Sequence, residues 1–232
     1  MGKLNEKDPT GRTVTLTKVR LSFGDSLNKK SLPKKNKDPK ATPKHGANFI
    51  LDVNSPDYAS NVAAIEKAMS NACAEFKKPA DWWKQLLENK ADKLCWKKGN
   101  SFQTEDGQIY KGYEGNMVLA LKGPAGGAKR PQIRDRYKKV LMVPEGAEDF
   151  PKINEIAYNG VTCDIIVSFY GTDNGGADRL TGSVEAIRSW QEGERLGGGG
   201  VYVDDDDFDD AEEDDSFDSG PAKSSSSNLL LD

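Results

Sequence analysis

Cationic and aromatic side chains are interleaved in two short stretches of this sequence. The stretch KRPQIRDRYKK, residues 129–139, holds six cations and a tyrosine, and IYKGYEG, residues 109–115, places Lys111 between Tyr110 and Tyr113. Proteins that hold a single nucleic-acid strand combine cations along the phosphate path with flat rings on which bases stack. The chemistry that these residue types and spacings favour is therefore binding of a flexible polyanion, without bond making or breaking.

The geometry of an extended strand decides which of these side chains act together. Alternate residues of a strand share one face, so a strand over residues 129–139 groups five mostly cationic side chains: Arg130, Gln132, Arg134, Arg136 and Lys138. A solvated edge strand is the alternative interpretation. For Tyr110 and Tyr113, base stacking and core packing are equally favoured. The neighbours Phe169 and Tyr170 must point to opposite faces, so one of the two is a candidate for exposure.

Motifs for catalysis or metal binding do not occur in the sequence. The stretch GPAGGAKR lacks the GK[ST] ending of a phosphate-binding loop, and there is no GxSxG motif. The one histidine, His45, lies in a lysine- and proline-rich segment, where we expect a surface or structural role. The three cysteines are widely spaced and form no CxxC pair, so we predict no metal site. We expect no enzymatic activity, no catalytic residues and no cofactor.

Charge is distributed unequally along the chain. Residues 201–232 hold ten Asp, two Glu and one Lys, a formal charge of about −11, whereas residues 1–200 carry about +7. Ten of the twelve residues from Asp204 to Asp215 are acidic. A segment of this composition cannot bury enough apolar surface to offset its ordering entropy. We therefore predict a basic domain over residues 1–200 and a disordered acidic tail over residues 201–232, with the hinge at the glycines 197–200.

The pattern of apolar residues predicts a mainly β domain. Five long strands are indicated at residues 13–23, 47–54, 115–123, 161–172 and 180–193. Strict alternation in the first strand places Val14 and Leu16 on the face opposite to Val19 and Leu21. Two helices form an insertion at about residues 56–90. Five to seven strands with one helical insertion favour an OB-fold, a five-stranded Greek-key barrel, and a β-sandwich is the main alternative.

Three features of the sequence occur in a familiar order. They are the strand pair around YEGNMVLALKG and KRPQIRDRY, the hairpin YNGVTCDIIVSFYGTDNGGADRLTGSVEAIR, and WQEGERLGGG before an acidic, phenylalanine-containing end. Over most of residues 10–215 the chain thereby resembles bacteriophage single-stranded-DNA-binding proteins with one OB-fold and an acidic C-terminal tail. The resemblance implies sequence-independent binding of single-stranded DNA in phage replication, recombination and repair. The DNA-binding residues that it suggests are Tyr110, Lys111, Tyr113, Arg130, Arg134, Arg136, Tyr137 and Lys138.

The resemblance also implies a role for the acidic tail. Such tails compete with DNA for the basic groove and recruit replication proteins such as a DNA polymerase. The tail residues suggested for partner binding are Asp204, Asp205, Asp206, Asp207, Phe208, Asp214, Asp215 and Phe217. Here the acidic block is followed by GPAKSSSSNLLLD, so the last aromatic residue is Phe217 and docking through the extreme terminus is not expected.

Other classes of function stay open at this point. An acidic-tailed protein-interaction module would bury the aromatic rings beside the lysines, and a nuclease would need clustered carboxylates near the basic strand, where only Asp135 occurs. No segment reaches the ~20 apolar residues of a membrane span, so no membrane partner is expected. The location that follows from the resemblance is the cytoplasm of the infected bacterial host. A homodimer, and binding to duplex DNA or RNA, are left open.

Overall fold

The computed structural model describes residues 1–32, 41–141, 153, 155–173 and 177–196 of the 232-residue chain. Met1–Gly197 form one compact unit. The predicted hinge at residues 197–200 and the acidic tail at residues 201–232 lie outside the described residues, so both stay predictions, as does the division of the chain at residue 200. Within the described part of the chain, no helix is long and apolar enough to cross a membrane.

Five long strands, all of them predicted from the sequence, build the fold. They are β2 (Thr13–Ser22), β3 (Gly46–Leu51), β5 (Met117–Lys122), β7 (Thr162–Thr172) and β8 (Arg179–Gln191). Three short strands accompany them: β1 (Lys3–Leu4), β4 (Trp96–Lys98) and β6 (Gln132–Arg134). Period-two patterning is clearest in β7, where the buried apolar side chains are those of Cys163, Ile165, Val167 and Phe169. The prediction of a mainly β fold is confirmed.

The strands pair in a closed circuit. β2 pairs with β3, β3 with β5, β7 with β2, and β7 with β8, all in antiparallel orientation. The circuit closes where Lys122 of β5 pairs in parallel with Ser183 of β8. At the margins, β1 extends β2, β4 extends β5, and β6 runs parallel to β8. All eight described strands thus belong to one sheet, whereas the alternative prediction of a sandwich requires two.

A β-bulge in β2 overturns the predicted faces of this strand. The register with β7 shifts between Leu16 and Val19, and Lys18 adopts a φ of 52°. The Asp164 carboxylate accepts a hydrogen bond from the Lys18 N–H at 3.1 Å, which holds the bulge in place. One inserted residue reverses the alternation, so the side chains that reach the core from both halves of the strand are Val14, Leu16, Val19 and Leu21.

Three helices that lie wholly within the described residues interrupt the order of the strands. α1 (Asp25–Asn28) follows β2, and α2 (Tyr58–Glu75) and α3 (Trp82–Asn89) lie between β3 and β4, within the predicted insertion. α2 faces the core with side chains spaced four residues apart: Ile65, Met69 and Cys73. The rings of Trp83 and Trp96 are also buried. They therefore serve the core and offer no surface to a ligand.

The predicted strand over residues 129–139 is wrong beyond Arg134. β6 ends there because the chain reverses in a tight turn, in which the Lys138 N–H donates to the Asp135 carbonyl at 3.0 Å. The Lys139 N–H donates to the Asp135 carboxylate at 2.9 Å, and Lys138 adopts a φ of 68°. β6 also pairs with β8 and does not form the expected pair with β5. Arg136 and Lys138 therefore lie in the turn, and the predicted cationic strand face does not form.

Candidate functional site

The site is built on the outer face of β3 and β5. The inner face of these strands is buried through Ala47, Phe49, Leu119 and Leu121. The outward residues pair across the two strands as Gly46 with Lys122, Asn48 with Ala120, and Ile50 with Val118. This face is therefore polar and cationic at its Lys122 end and apolar at its other end. The rest of the chain leaves a cavity at the Lys122 end and covers the apolar end with aromatic rings.

The Lys122 end opens into a cavity of about 500 Å³, which we call the cationic groove. The residues that define it are Lys44, Lys97, Lys122, Tyr170, Thr172 and Arg179. Lys44 precedes β3, Lys97 lies on β4 and Lys122 ends β5, while the other three lie where β7 ends and β8 begins. Four segments that are distant in sequence thus bring four cations, the Thr172 hydroxyl and the Tyr170 ring to one opening.

Most of the positive charge in the cationic groove is not offset by acids. Asp92 at its rim binds Lys93 at 2.8 Å, and the hydrogen bond from Lys93 lowers the pKa of Asp92. Among the described residues, Lys44, Lys97 and Lys122 have no carboxylate within 4.0 Å. Burial, with the charges of Lys44 and Arg179, lowers the pKa of Lys122. A bound anion would relieve this repulsion, so the groove attracts a polyanion.

Tyr170 brings a ring to the cationic groove. Its neighbour Phe169 is buried in the core, so strand alternation turns Tyr170 outward, where its half-buried side chain lines the groove. The Ser183 hydroxyl donates to the Tyr170 hydroxyl at 3.4 Å, and Ser183 is also the residue that pairs with Lys122. The sequence indicated that one ring of this pair would be exposed, but it did not include Tyr170 among the binding residues.

Comparison with known proteins assigns this sequence and fold to a family. A family profile described as the single-stranded-DNA-binding protein of Enterobacter phage Enc34 matches residues 12–218, most of the chain. This chain belongs to the Enc34 single-stranded-DNA-binding protein family. The resemblance to phage single-stranded-DNA-binding proteins that the sequence indicated is confirmed.

Solved structures of the bacteriophage Enc34 protein share the fold of this Enc34-family chain. The structure of that protein in complex with single-stranded DNA is 14% identical and has a TM-score of 0.62, covering 84% of this chain and 98% of that one. A second structure of the same protein is 16% identical, with a TM-score of 0.59 and coverages of 89% and 98%. No curated protein matches this sequence. At these identities the likeness is one of fold.

The apolar end of the outer face carries an aromatic cluster, which consists of Phe23, Phe102, Tyr110 and Tyr113. Tyr113 is 1% exposed and packs with Ile50 and Val118. Its hydroxyl donates to Ser22 Oγ at 3.0 Å and accepts from Asn48 Nδ2 at 3.1 Å, and burial raises the pKa of Tyr113. The ring covers apolar sheet surface and has no face left for a base, which corrects its prediction as a stacking residue.

Phe23, Phe102 and Tyr110 keep accessible surface in this Enc34-family protein, and Phe102 is half-buried like Tyr110. Phe23 is 43% exposed, and it meets the half-buried Tyr110 edge-on with ring centres 5.0 Å apart. The cluster lies beside the cationic groove, because Asn48, which binds Tyr113, pairs with Ala120, and Ala120 lines the groove. The position of Tyr110 is therefore compatible with its predicted role in base stacking. Phe23 is a further accessible ring, which the sequence analysis did not include.

Lys111 is engaged in an ion pair within the chain. Its Nζ binds the Glu194 carboxylate, and Arg20 donates to the Glu194 carbonyl at 2.6 Å. The hydrogen bond from Lys111 lowers the pKa of Glu194. Leu196 is buried in the same apolar cluster as Tyr113. Lys111 thus helps to hold the C-terminal end of the described chain against the aromatic cluster, and its role as a DNA-binding residue stays a prediction.

The other predicted DNA-binding residues lie around β6. Arg130 precedes this strand, Arg134 ends it, and the turn beyond it carries Arg136, Tyr137 and Lys138. None of the eight predicted residues lines the cationic groove. The groove residues were missed because they come from separate parts of the sequence that no local pattern joins. The signal that was available is a lysine or arginine at the end of a predicted strand, as at Lys122 and Arg179.

Replacing Tyr113 by Phe tests whether this ring is structural. We expect the substitution to lower the free energy of unfolding by about 1 kcal/mol, because the hydrogen bonds to Ser22 and Asn48 are lost in a buried place. Affinity for oligonucleotides should not change, because the ring stays in place. Urea unfolding and an oligo-dT titration measure the two quantities. A loss of affinity without a loss of stability would instead indicate that Tyr113 contacts DNA.

Proposed function

We propose that this protein binds single-stranded DNA without sequence preference and that the strand lies in the cationic groove. The observation that carries the proposal is a set of lysines without described carboxylate partners around the accessible ring of Tyr170. Phosphates would pair with the lysines, and a base would stack on the ring, which is worth about 1–3 kcal/mol per base. Phosphate contacts and stacking accept any sequence, hence the absence of preference.

We further infer that the circuit β2, β3, β5, β8 and β7 is an OB-type Greek-key barrel, with α2 and α3 as its insertion. The closed pairing of five strands supports this inference. OB barrels bind oligonucleotides on the face of their second and third strands and on the loops after the first and fourth strands. In this circuit those parts are β3 and β5, the connection that contains Lys44, and the connection before Arg179. The cationic groove is lined by β5, by the connection that contains Lys44, by the residues on either side of the connection before Arg179, and by Lys97 of β4.

The proposed path of the strand continues from the groove to the aromatic cluster. Asn48 and Ala120 form the floor between the two regions. Phe23 and Tyr110 would then stack one or two further bases, and Phe102 and Tyr113 would support them from below. This path stacks bases on the rings of Phe23 and Tyr110 and leaves the buried ring of Tyr113 in the core.

The acidic tail supports a second part of the proposal, a competition with DNA. Residues 201–232 carry about −11, and a tethered segment has a high effective concentration for a cationic site of the same molecule. We propose that the tail suppresses weak binding and, when displaced, recruits replication proteins such as a DNA polymerase through Phe208, Phe217 and the acids around them. Membership in a phage family supports roles in DNA replication, recombination and repair in the cytoplasm of the infected host.

A titration with labelled oligo-dT tests the proposed function directly. Fluorescence anisotropy should show saturable binding at low salt, with competition by unlabelled single strands of any sequence and weaker competition by duplex DNA and RNA of the same length. Log–log plots against salt should fall with a slope of about −0.7 for each phosphate contact. Absence of binding at low salt would instead favour a protein-interaction module. Sedimentation of the same samples tests the homodimer, which stays a prediction.

Deleting the tail should strengthen DNA binding. We expect removal of residues 201–232 to raise oligo-dT affinity severalfold at low salt, and the gain should shrink as salt screens the competition. The matched control removes only residues 219–232, which have no net charge, and should bind like the full chain. Equal affinity of the full chain and the 201–232 deletion at low salt would rule out competition by the tail.

A further inference from the structure

We infer that the protein has a second contact surface for the same DNA strand, separate from the cationic groove. It is formed by the turn after β6 and the end of β8, and we call it the β6 patch. Its residues are Arg134, Arg136, Tyr137, Lys138, Arg188 and Trp190. The inference rests on the proposed function, because it extends the path of the strand. The cationic groove contains no residue of the KRPQIRDRYKK stretch, whereas the β6 patch contains the exposed part of that stretch.

The β6 patch exposes two large rings, each beneath a guanidinium group. Tyr137 is 75% exposed, and the Arg136 guanidinium lies 4.9 Å from its ring centre. Trp190 is 43% exposed, with the Arg188 guanidinium 5.2 Å from its ring centre. Stacking of a cation on one face of a ring leaves the other face for a base, and arginine adds cation–π attraction. Two such pairs form a stacking platform with positive charge at each ring.

Contacts between neighbouring residues join the two rings into one surface. Arg134 of β6 pairs in register with Arg188 of β8, which lies against Trp190. Arg134 also donates to the Lys138 carbonyl at 3.1 Å, which ties the strand to the turn that carries Tyr137. Its remaining donors bind the Gln132 side chain at 2.7 and 2.9 Å. The side chain of Arg134 is therefore fixed at the centre of the patch.

Positive charge predominates on the β6 patch. Arg188 is paired with Asp164, whereas Arg134, Arg136 and Lys138 have no carboxylate within 4.0 Å among the described residues. The Asp135 carboxylate accepts the Lys139 N–H and so is used within the turn. Cations beside stacked rings suit a flexible strand of phosphates and bases.

Strand β8 joins the β6 patch to the cationic groove. Its edge meets β5 where Ser183 pairs with Lys122, a groove residue, and it meets β6 where Arg188 pairs with Arg134. The five residue-to-residue steps from Ser183 to Arg188 span about 17 Å at ~3.3 Å per step. A single DNA strand covers that length with at most about five nucleotides, because it is at least as extended as one strand of a duplex, which rises ~3.4 Å per nucleotide. This continuity favours DNA over a separate protein partner as the occupant.

A length series of oligonucleotides tests the second surface. The probes are the shortest oligo-dT that the wild-type protein binds measurably and an oligo-dT about ten nucleotides longer, which spans the gap and the patch. The variant combines Arg136→Ser with Tyr137→Ser at the exposed turn. We expect it to bind the short probe like the wild type and the long probe at least about tenfold more weakly. Its salt slope for the long probe should be shallower by about 0.7.

The matched control is Lys67→Ser, which also removes one charge, at an exposed position on α2. It should bind both probes like the wild type. Unchanged affinity of the double variant for the long probe would overturn the inference, as would an equal loss for both probes, which would assign the turn to the first site. If the wild-type protein binds no probe of any length, the proposed function itself fails, and that outcome is distinct from the other two.

Discussion

Removal of two groove lysines, Lys97→Ala with Lys122→Ala, should weaken oligo-dT binding strongly. Each phosphate contact on a single strand contributes a salt exponent of about −0.7, so two lost contacts cost roughly 25-fold in affinity at ~0.1 M salt and about tenfold at ~0.2 M. The log–log slope should become shallower by about 1.4. Anisotropy titrations over a salt series measure affinity and slope together. The physical reason is that both lysines lack a described carboxylate partner, so their charge is available to phosphate.

The matched control for this variant combines Lys7→Ala with Lys67→Ala. Both residues are exposed and neither lines the cationic groove, yet the net charge of the protein changes by the same amount. We expect near wild-type affinity and slope from it. An equal loss in both double variants would mean that overall charge, and not the groove, governs binding. Thermal unfolding of each variant separates loss of binding from loss of fold.

The lowered pKa of Lys122 gives the groove a pH signature. In the proposed function Lys122 would bind phosphate in its protonated form, so as pH rises through its lowered pKa the proton is lost before those of ordinary lysines, and we expect affinity to fall. Bound phosphate stabilises the charged form, so binding at alkaline pH should be accompanied by proton uptake. Lys122→Arg should remove this alkaline loss, because a guanidinium stays charged. Titrations between neutral and alkaline pH measure the difference.

The sequence predicted the elements of the fold better than the places where they join. Alternation identified the five long strands, and the spacing of Ile65, Met69 and Cys73 identified the core face of α2. The bulge at Lys18 was not predictable from alternation, because it is held by Asp164 on a distant strand. The turn at Asp135 depends on hydrogen bonds that its carbonyl and carboxylate accept from the N–H groups of Lys138 and Lys139, and the sequence there contains no strong turn motif.

The candidate site was harder to predict because it is assembled in three dimensions. Lys44, Lys97, Lys122 and Arg179 are separated by dozens of residues, and no local pattern joins them. The cationic stretch KRPQIRDRYKK, by contrast, occupies β6 and the turn after it. Tyr113 shows the same limit: its burial follows from partners on β2 and β3, which the sequence does not connect to it.

Tyr170→Ala should weaken oligo-dT binding by about 5- to 150-fold, the range that corresponds to loss of one stacked base. The salt dependence separates this variant from the lysine variants. A ring releases no counterions, so the slope of the log–log plot should match that of the wild type while the affinity falls at every salt concentration. Anisotropy titration over the same salt series provides both values.

Tyr170→Phe is the companion variant that distinguishes stacking from hydrogen bonding. It keeps the ring and loses only the hydroxyl that accepts from Ser183, so most of the affinity lost in Tyr170→Ala should be retained. If the Phe variant were as weak as the Ala variant, the hydroxyl would matter more than the ring. If the Ala variant were folded and bound DNA like the wild type, bases would not lie on Tyr170. The strand would then pass through the groove by its phosphates alone, and its bases would need the rings of Phe23 and Tyr110.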